Sequence, residues 1–524
     1  MPDRRADDSA RADDPVRAGG RSREEEVLRA RRASRERLGD KAFAISLRDV
    51  LGVDEPTAIT TIRERFGALP PDRREDERHT VAGRVVLKRD MGKLQFATLR
   101  DGGGDLQLVF DRASMDEEPH ELLDEVDLGD VIAATGVVGT TRRGELSIFV
   151  DRWAMLTKSL RPLPEKWHGL KDPDLQQRRR YLHLIADETP RRYARARAAV
   201  LRTLRATLDA RGFVEFEGPI LQTVAGGANA KPFTTFHEAL GVDMKLRVSL
   251  ELYLKRMLVG GFERVYELSR NFRNEGIDRD HNPEFTMLEA YQAYGDYTTM
   301  MELSEHLVRA AARATNPVMG RDSDDLAVSS RGRTIDLALP FHRRTMLDLV
   351  SEATGEPISL DRQDLRQVAE RHGVPVDDLW GRGKIVQELF EKLVEDTIAE
   401  PTFVMDFPRE VSPLARPHRD DPELTEHFDL VINGIELVTA FSELTDPVEQ
   451  RAKFELQQQL RAAGVEETHP LDEDFLRALE HGMPPAGGLG LGIDRLLMLL
   501  TDAPSLRDLI MFPAHRPEAS DSAE

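Results

Sequence analysis

The stretch RVYELSRNFRNEG, residues 264–276, followed by IDRDHNPEFTMLEAYQAY, residues 277–294, decides how the rest of the chain is read. Side chains two apart share a face of a strand. On a first strand Val265, Glu267, Ser269, Asn271 and Arg273 therefore project one way, and on a second Phe285, Met287, Glu289 and Tyr291 do. Gly276, Asp278, Asn282 and Pro283 between them are turn formers. Antiparallel pairing would bring both polar faces onto one concave surface. A solvated hairpin would carry the same charges, but next to Met287, Leu288 and Ala290 a carboxylate at Glu289 is costly unless a cation meets it.

Working outward, 524 residues allow two to four domains and a large core. Hydrophobic content of 40% and charged content of 32% describe a globular chain, and a net charge of −21 argues against a protein that simply coats nucleic acid while leaving room for a local basic patch. The absence of cysteine removes thiolate zinc sites, disulfides and cysteine nucleophiles together. No apolar run approaches the roughly 20 residues that cross a bilayer, and MPDRRADDSARADD lacks a signal-peptide apolar core. The expectation is a cytoplasmic protein with no membrane role.

Residues 1–44 form an Arg-, Asp- and Glu-rich extension, disordered or loosely helical, that cannot build a core of its own. Residues 45–68 read as helix. From Val81 the runs VAGRVVLKR, LQFATLRD, DLQLVF, VIAATGVVG and ELSIFVDRWAML, split by Gly- and Asp-rich turns, predict a small closed or nearly closed β-barrel, so that 45–158 form one helix-plus-barrel unit. Such barrels stack bases on an aromatic residue. Phe96 is the candidate platform, with Arg84, Gln107 and Glu145 as polar readers, although a core role for Phe96 accounts for it equally. Residues 158–205 carry thirteen Lys or Arg against five Asp or Glu. The part from 159 to 190 reads as a basic linker that could meet a polyanion; a solvated linker and helix face explains any single arginine as well.

A helix over about 191–211 precedes an expected strand FVEFEGPIL closed by Pro219. TVAGGANAKPFTTF brings backbone close to something at Gly226 and Gly227, and Glu251 sits at a strand-to-helix junction. Residues 315–400 look like a helical insertion and 516–524 like a flexible tail. FDLVINGIELVTAFSELTDP carries Asp429, Glu436 and Glu443 seven apart, and GGLGLGIDRLLMLL holds Gly488, Gly490 and Gly492 at alternate positions ahead of Asp494 and Arg495. A strand bare on one face leaves room for a flat ligand, or for close packing of a second backbone.

MGKLQFATLRDG, LTKSLRPLPEKWHGL, GGANAKPF, ELYLKRMLVGGFERVYELSRNFRNEG, HNPEFTMLEAY, EVSPLAR, FSELTDP and GLGLGIDRLLM, in this order, resemble the class II aminoacyl-tRNA synthetases, and specifically the lysyl-tRNA synthetases, over residues 45–515. The resemblance implies an α+β protein: a five-stranded, anticodon-binding oligonucleotide-binding β-barrel within 45–158, then a catalytic domain at 191–515 with an antiparallel sheet flanked by helices, working as a homodimer. The helix at 191–211 with Pro219 matches the family's first, dimer-forming motif, the opening hairpin its second, and the glycine strand with Arg495 its third. It implies ligation of L-lysine to tRNA(Lys) through a lysyl-adenylate, with ATP as substrate and two or three Mg²⁺ ions. Arg273 and Arg495 take catalytic roles at the α- and γ-phosphates. Glu275, His281, Phe285 and Glu436 join them in binding ATP, and Asp429 and Glu436 hold metal. Gly227, Glu251, Glu289, Tyr291, Thr439 and Glu443 bind lysine, and Arg84, Phe96, Gln107 and Glu145 read the anticodon. Thr439 stands where the family usually has Asn, Asp429 where Glu, Leu250 where Pro, and His183 where Asp, which puts lysine affinity and metal binding in question. Two other readings remain: a paralogue that passes lysine or a related amine to a protein or small molecule, which the barrel argues against, and a non-catalytic RNA-binding derivative, which Arg273, Glu275 and Arg495 argue against.

Overall fold

A computed structural model of the chain describes residues 15–111, 121–164, 170–465 and 468–517. Residues 1–14 of the expected extension, 165–169 of the basic segment and 518–524 of the tail lie outside the described residues. The chain divides into two compact units, residues 1–170 and 171–524.

In the first unit, β1 (Arg74–Met91), β2 (Leu94–Arg100), β3 (Asp105–Asp111), β4 (Val131–Thr140) and β5 (Leu146–Thr157) close into a barrel in the order β1-β2-β3-β5-β4. Closure depends on the length of β1: its first half pairs with β4, its second with β2, and a register shift between Val85 and Leu87 lets it turn the corner. Inward residues such as Val81, Val85, Leu99, Leu108, Ile132 and Ile148 fill the interior, and a short helix Ile59–Phe66 caps it with Ile59 and Ile62. The predicted 45–68 helix is thus two short ones, Leu47–Leu51 and Ile59–Phe66, because Gly52 takes a left-handed conformation that ends the first. The extension contains a helix, Pro15–Leu38. Its Arg31 is buried and donates Nη1 to the Arg161 carbonyl (2.9 Å) and Nη2 to that of Leu128 (2.8 Å).

The strands of the second unit are, in chain order, β6 (Val214–Glu215), β7 (Leu221–Gln222), β8 (Thr234–His237), β9 (Val242–Leu246), β10 (Arg264–Phe272), β11 (Glu284–Ala293), β12 (Ala327–Ser330), β13 (Arg333–Asp336), β14 (His342–Thr345), β15 (Thr402–Met405), β16 (His427–Ile432), β17 (Ile435–Ser442) and β18 (Ala486–Gly492). Eight of them make the main sheet, β14-β15-β16-β17-β18-β11-β10-β6, antiparallel except at its two edges, where β14 and β6 pair in parallel. The expected hairpin is β10 and β11, in the register Val265↔Tyr291, Glu267↔Glu289, Ser269↔Met287 and Asn271↔Phe285. One face is covered by the helices Thr189–Asp209, Tyr297–Thr315 and Ile493–Thr501; Ala196, Val200, Leu204 and Leu208, four apart, form the apolar stripe of the first. The other face carries the cleft.

The expected strand FVEFEGPIL forms only at its ends, as β6 and β7, because Pro219 has no N–H for a ladder and the Gly218 N–H instead donates to Glu267 Oε2 (2.9 Å). The 315–400 segment contains the helices Met346–Thr354, Leu365–Arg371 and Arg382–Leu393 around a core of their own, but it also lends β14 to the main sheet. Within the stretch expected as linker, Pro173–Arg178 and Arg180–Ala186 are helices of the second unit. Arg180 is buried there and donates to the carbonyls of Arg507 (2.8 Å) and Met511 (3.1 Å), so this cation is spent on structure and not on a polyanion.

Candidate active site

A cleft of about 450 Å³ opens over β11, β17 and β18. It is lined by Gly227, Glu251, Arg273, Glu275, His281, Phe285, Glu289, Tyr291, Glu436, Thr439 and Arg495, all singled out from the sequence. Asp429 and Glu443 lie behind its wall. Asp429 touches it through Thr439, and Glu443 through Gly488, where a Cβ would collide with the Glu443 carboxylate.

One end is anionic. Glu289, 3% exposed, accepts from Ser249 Oγ (2.9 Å) and the Leu250 N–H (2.9 Å) on Oε1 and from Tyr291 OH (3.0 Å) on Oε2. Burial and the charge of Glu251 push its carboxyl up to about 7 despite those donors. Glu443 is pushed up to about 8 by burial, against the pull of Lys255 and with Glu251 and Glu289 adding to the rise. Its Oε2 meets Lys255 Nζ in an ion pair, while Oε1 has no hydrogen-bond donor among the described residues. Lys255, one helical turn beyond Glu251, also contacts Glu251 Oε1 at 2.5 Å. Gly227 permits this crowding: at φ +92° a side chain is strained, and a Cβ would sit 2.9 Å from that of Ser249.

The other end is cationic. Arg273 leaves β10 with its guanidinium carbon 5.1 Å from the Phe285 ring centroid. Arg495, at the start of the helix after β18, donates to the Glu436 carbonyl (3.0 Å), and its Nη2 lies 3.2 Å from His281 Nε2, whose other ring nitrogen meets Asp278 (2.9 Å). Glu275 is exposed on the loop between the strands. Between the two ends runs bare backbone: a Cβ at Gly490 or Gly492 would meet nothing nearer than 3.6 Å, so these glycines keep the floor low, whereas Gly488 makes room for Glu443 and Tyr291 packed against it.

A cleft with buried carboxylates at one end, two arginines at the other and a flat floor accommodates a molecule cationic at one end and anionic at the other. Residues 172–516 match the tRNA synthetases class II (D, K and N), and residues 79–156 an OB-fold nucleic acid binding domain. The chain belongs to the class II tRNA synthetases. It is similar to the lysine–tRNA ligase of Gloeobacter violaceus (51% identical over 449 residues, 84% of this chain and 89% of that protein), to that of Moorella thermoacetica (48% over 465 residues, 88% and 92%) and to that of Synechococcus sp. CC9311 (50% over 446 residues, 84% and 90%).

Class II synthetases use ATP, commonly with Mg²⁺, and the side chains here fit such an ion. Thr439 Oγ1 donates to Asp429 Oδ1 (2.7 Å) and lies 3.2 Å from Glu436 Oε1, so both carboxylates stand within one hydroxyl's reach. Burial, then the charges of Glu436 and Asp429, push the nearby Glu395 carboxyl up to about 7 against the pull of Arg495. Mg²⁺ is held by one or two carboxylates plus phosphates and water, not by an all-protein cage. Accordingly, no group of three His, Cys, Asp or Glu side chains suited to a metal occurs among the described residues.

On the synthetase's barrel, Phe96 is half-buried on the outer face of β2, opposite Val109, and Gln107 pairs across from Thr98 and donates to Ser147 Oγ (2.9 Å). Glu145 is exposed at the turn before β5. Arg84 donates Nη1 to the Gly129 carbonyl (2.6 Å).

Several site residues escape a reading of the sequence. The first-strand residues Glu267 and Ser269, expected to face the cleft, are covered by buried Arg247 (2.6 Å to each). Ser249, Lys255, His427 and His469 carry no motif of their own. His427 is stacked on Phe407 and lies 3.2 Å from Asp429 Oδ1. His469 is buried and its imidazole is pushed down to about 4 by burial and by the Lys255 charge. For Lys255 a signal exists: Glu251 and Lys255 are an i,i+4 pair in an otherwise apolar helix.

Proposed function

We propose that the chain ligates L-lysine to tRNA(Lys) in two steps at this cleft. The observation that carries the reading is the pair of buried carboxylates Glu251 and Glu289 lining one end of the cleft, with buried Glu443 behind the Gly488 wall, and Arg273 and Arg495 lining the other. Glu251 and Gly227 hold the α-ammonium, and Glu289, Tyr291 and Glu443 receive the ε-ammonium. An amino acid without that second ammonium leaves buried carboxylates unpaired, a discrimination of about 10⁴ or more.

In the first step an oxygen of the lysine carboxylate attacks the α-phosphorus of ATP, the bond to the β-phosphate oxygen breaks, and pyrophosphate leaves. Arg273 binds the attacking carboxylate and the α-phosphate, where an always-protonated, forked guanidinium suits the charge that builds on the non-bridging oxygens. Phe285 stacks on adenine, Glu275 and His281 contact ATP, and Arg495 binds the γ-phosphate while His281 supports it. Mg²⁺ held through Asp429 and Glu436 would neutralise and orient the phosphates. In the second step the terminal ribose hydroxyl of tRNA attacks the lysyl carbonyl and AMP leaves. Positioning and electrostatics supply the rate, with no covalent enzyme intermediate.

Phe96, with Gln107, Glu145 and Arg84, reads the anticodon on the barrel, in line with the OB-fold match. We also infer a homodimer. The exposed apolar side chains of Val214, Leu221, Phe236 and Val242 on β6 to β9 and of Ile220 and Leu240 beside them support it, and sedimentation of the purified protein tests it. Among the described residues no helix is long and apolar enough to cross a membrane. A cytoplasmic location follows from tRNA as substrate and from no property of the chain. The deciding experiment is ATP–pyrophosphate exchange with each amino acid, together with aminoacylation of total tRNA. Lysine alone should support both; exchange without charging, or charging by another amino acid, would overturn the reading.

A further inference from the structure

The anionic end of the cleft contains a cation that the lysine-binding assignment does not use. Lys255 has no exposed side-chain surface, and its Nζ lies between Glu251 Oε1 (2.5 Å) and Glu443 Oε2. Lys255 thus meets two of the three carboxylates, Glu251 and Glu443 but not Glu289, and with all three ionised this end of the cleft is short of two positive charges. Lysine brings two, one on the α-amino group and one on the side chain. Glu443 keeps Oε1 buried and without a donor, turned toward Gly488 on the cleft wall.

We propose that Lys255 is a positioning and specificity-determining residue: its ammonium ties Glu251 to Glu443 and sets the pocket's charge deficit at two, the number an amino acid with two ammonium groups satisfies. The proposal rests on the reading that lysine is the substrate. An ammonium this deep is affordable only when paired. Burial alone would lower it, yet Glu251 and Glu443 hold it well above the ordinary lysine value, so it stays charged throughout the working pH range. By holding one oxygen of each carboxylate it leaves the other free to face the substrate, and it keeps the like charges from collapsing into a shared-proton pair. The groups facing it are Glu251 on its own helix, Glu443 after β17, His469 before the helix Glu473–Glu480, and Lys453 of the helix Pro447–Ala462, while Glu289 and Tyr291 from β11 act on Glu251 and Glu443. Among these, Lys255 is the only cation in contact with the carboxylates. Lys453 donates instead to the Ala415 carbonyl (2.9 Å), and His469 is held neutral.

The test is the Lys255→Met variant in ATP–pyrophosphate exchange between pH 6.5 and 8.5. Without the internal ammonium the carboxylates take up protons that lysine must displace. At pH 7 the KM for lysine should rise about 100-fold, that for ATP should stay within about twofold, and the lysine KM should fall again steeply toward pH 8.5. The double variant Lys255→Met/Glu443→Gln removes one charge of each sign and restores the deficit of two, so its lysine KM should be lower than that of the single variant and should vary with pH only through Glu289. If the single variant does not fold, the charge-balanced double variant, read in the same way against wild type, carries the test. A merely structural lysine would raise KM by the same factor at every pH, with no recovery in the double variant, and either result would overturn the proposal. Wild-type protein that supports no exchange with lysine would instead overturn the substrate reading on which it rests.

Discussion

Gly488→Ala isolates the lysine end of the cleft. A Cβ at 488 would sit 2.5 Å from Tyr291 Cδ1 and closer still to Glu443 Oε1, where ordinary contact requires about 3.4 Å or more, so each neighbour must retreat by about 1 Å. Neither can swing into water: Tyr291 is 4% and Glu443 2% exposed, Tyr291 is hydrogen-bonded to Glu289, and Glu443 is ion-paired with Lys255. Overpacking of this kind costs about 1–3 kcal/mol, and here it falls on the groups assigned to the ε-ammonium. The expected result is a rise in the KM for lysine of about 10- to 100-fold, with the KM for ATP within about twofold and a cooperative thermal transition retained. On the same strand a Cβ at Gly492 meets nothing nearer than 3.7 Å and projects onto the floor beside Arg495. Gly492→Ala should therefore weaken ATP and spare lysine. Pyrophosphate exchange with each substrate varied in turn reads both. A Gly488→Ala enzyme with wild-type lysine KM, or one that loses lysine and ATP equally, would refute the placement of the ammonium end.

The remaining expectations follow from the same geometry. Burial pushes the Glu289 and Glu443 carboxyls up to about 7 and 8, and both must be ionised to meet an ammonium, so the KM for lysine should fall as pH rises from 6 to 8.5, by up to about tenfold per unit for each group below its pKa, and calorimetry in two buffers should detect protons released on binding. Glu443→Gln should raise the lysine KM by about 100-fold while leaving ATP binding in place; unchanged lysine kinetics would remove this residue from the ammonium site. The Thr439 hydroxyl is donated to Asp429, leaving it no proton for a substrate carboxylate, so Thr439→Asn should lower the KM for lysine, and an equal or higher KM would count against that. Loss of one stacked base costs about 1–3 kcal/mol, so Phe96→Ala should raise the KM for tRNA by about 5- to 150-fold with pyrophosphate exchange untouched.

Alternation along 264–294, five short strands from Val81 and the every-second-residue glycines were legible in the sequence because each depends on local periodicity. Periodicity names the face a side chain takes, and for Glu289 and Tyr291 that face is the cleft. For Glu267 and Ser269 it gave the right face but the wrong surroundings, since Arg247 arrives from outside the hairpin to cover them. FVEFEGPIL failed as a strand because its middle spends its backbone donor on a carboxylate of β10. The basic stretch likewise could not reveal that Arg180 is consumed by carbonyls far along the chain.

By itself, then, the sequence determined the order of barrel and antiparallel sheet, the two strands of the hairpin and the residue types that line the cleft, because these follow from local pattern and from motifs shared with the family. The tertiary structure alone decided which charges meet. Lys255 meets Glu251 of its own helix but also Glu443, and His281 meets Asp278 of its own loop but also Arg495; in each case the second partner is distant in sequence. The physical reason is desolvation: a buried charge must find a partner wherever the fold supplies one, and no spacing along the chain records where that is.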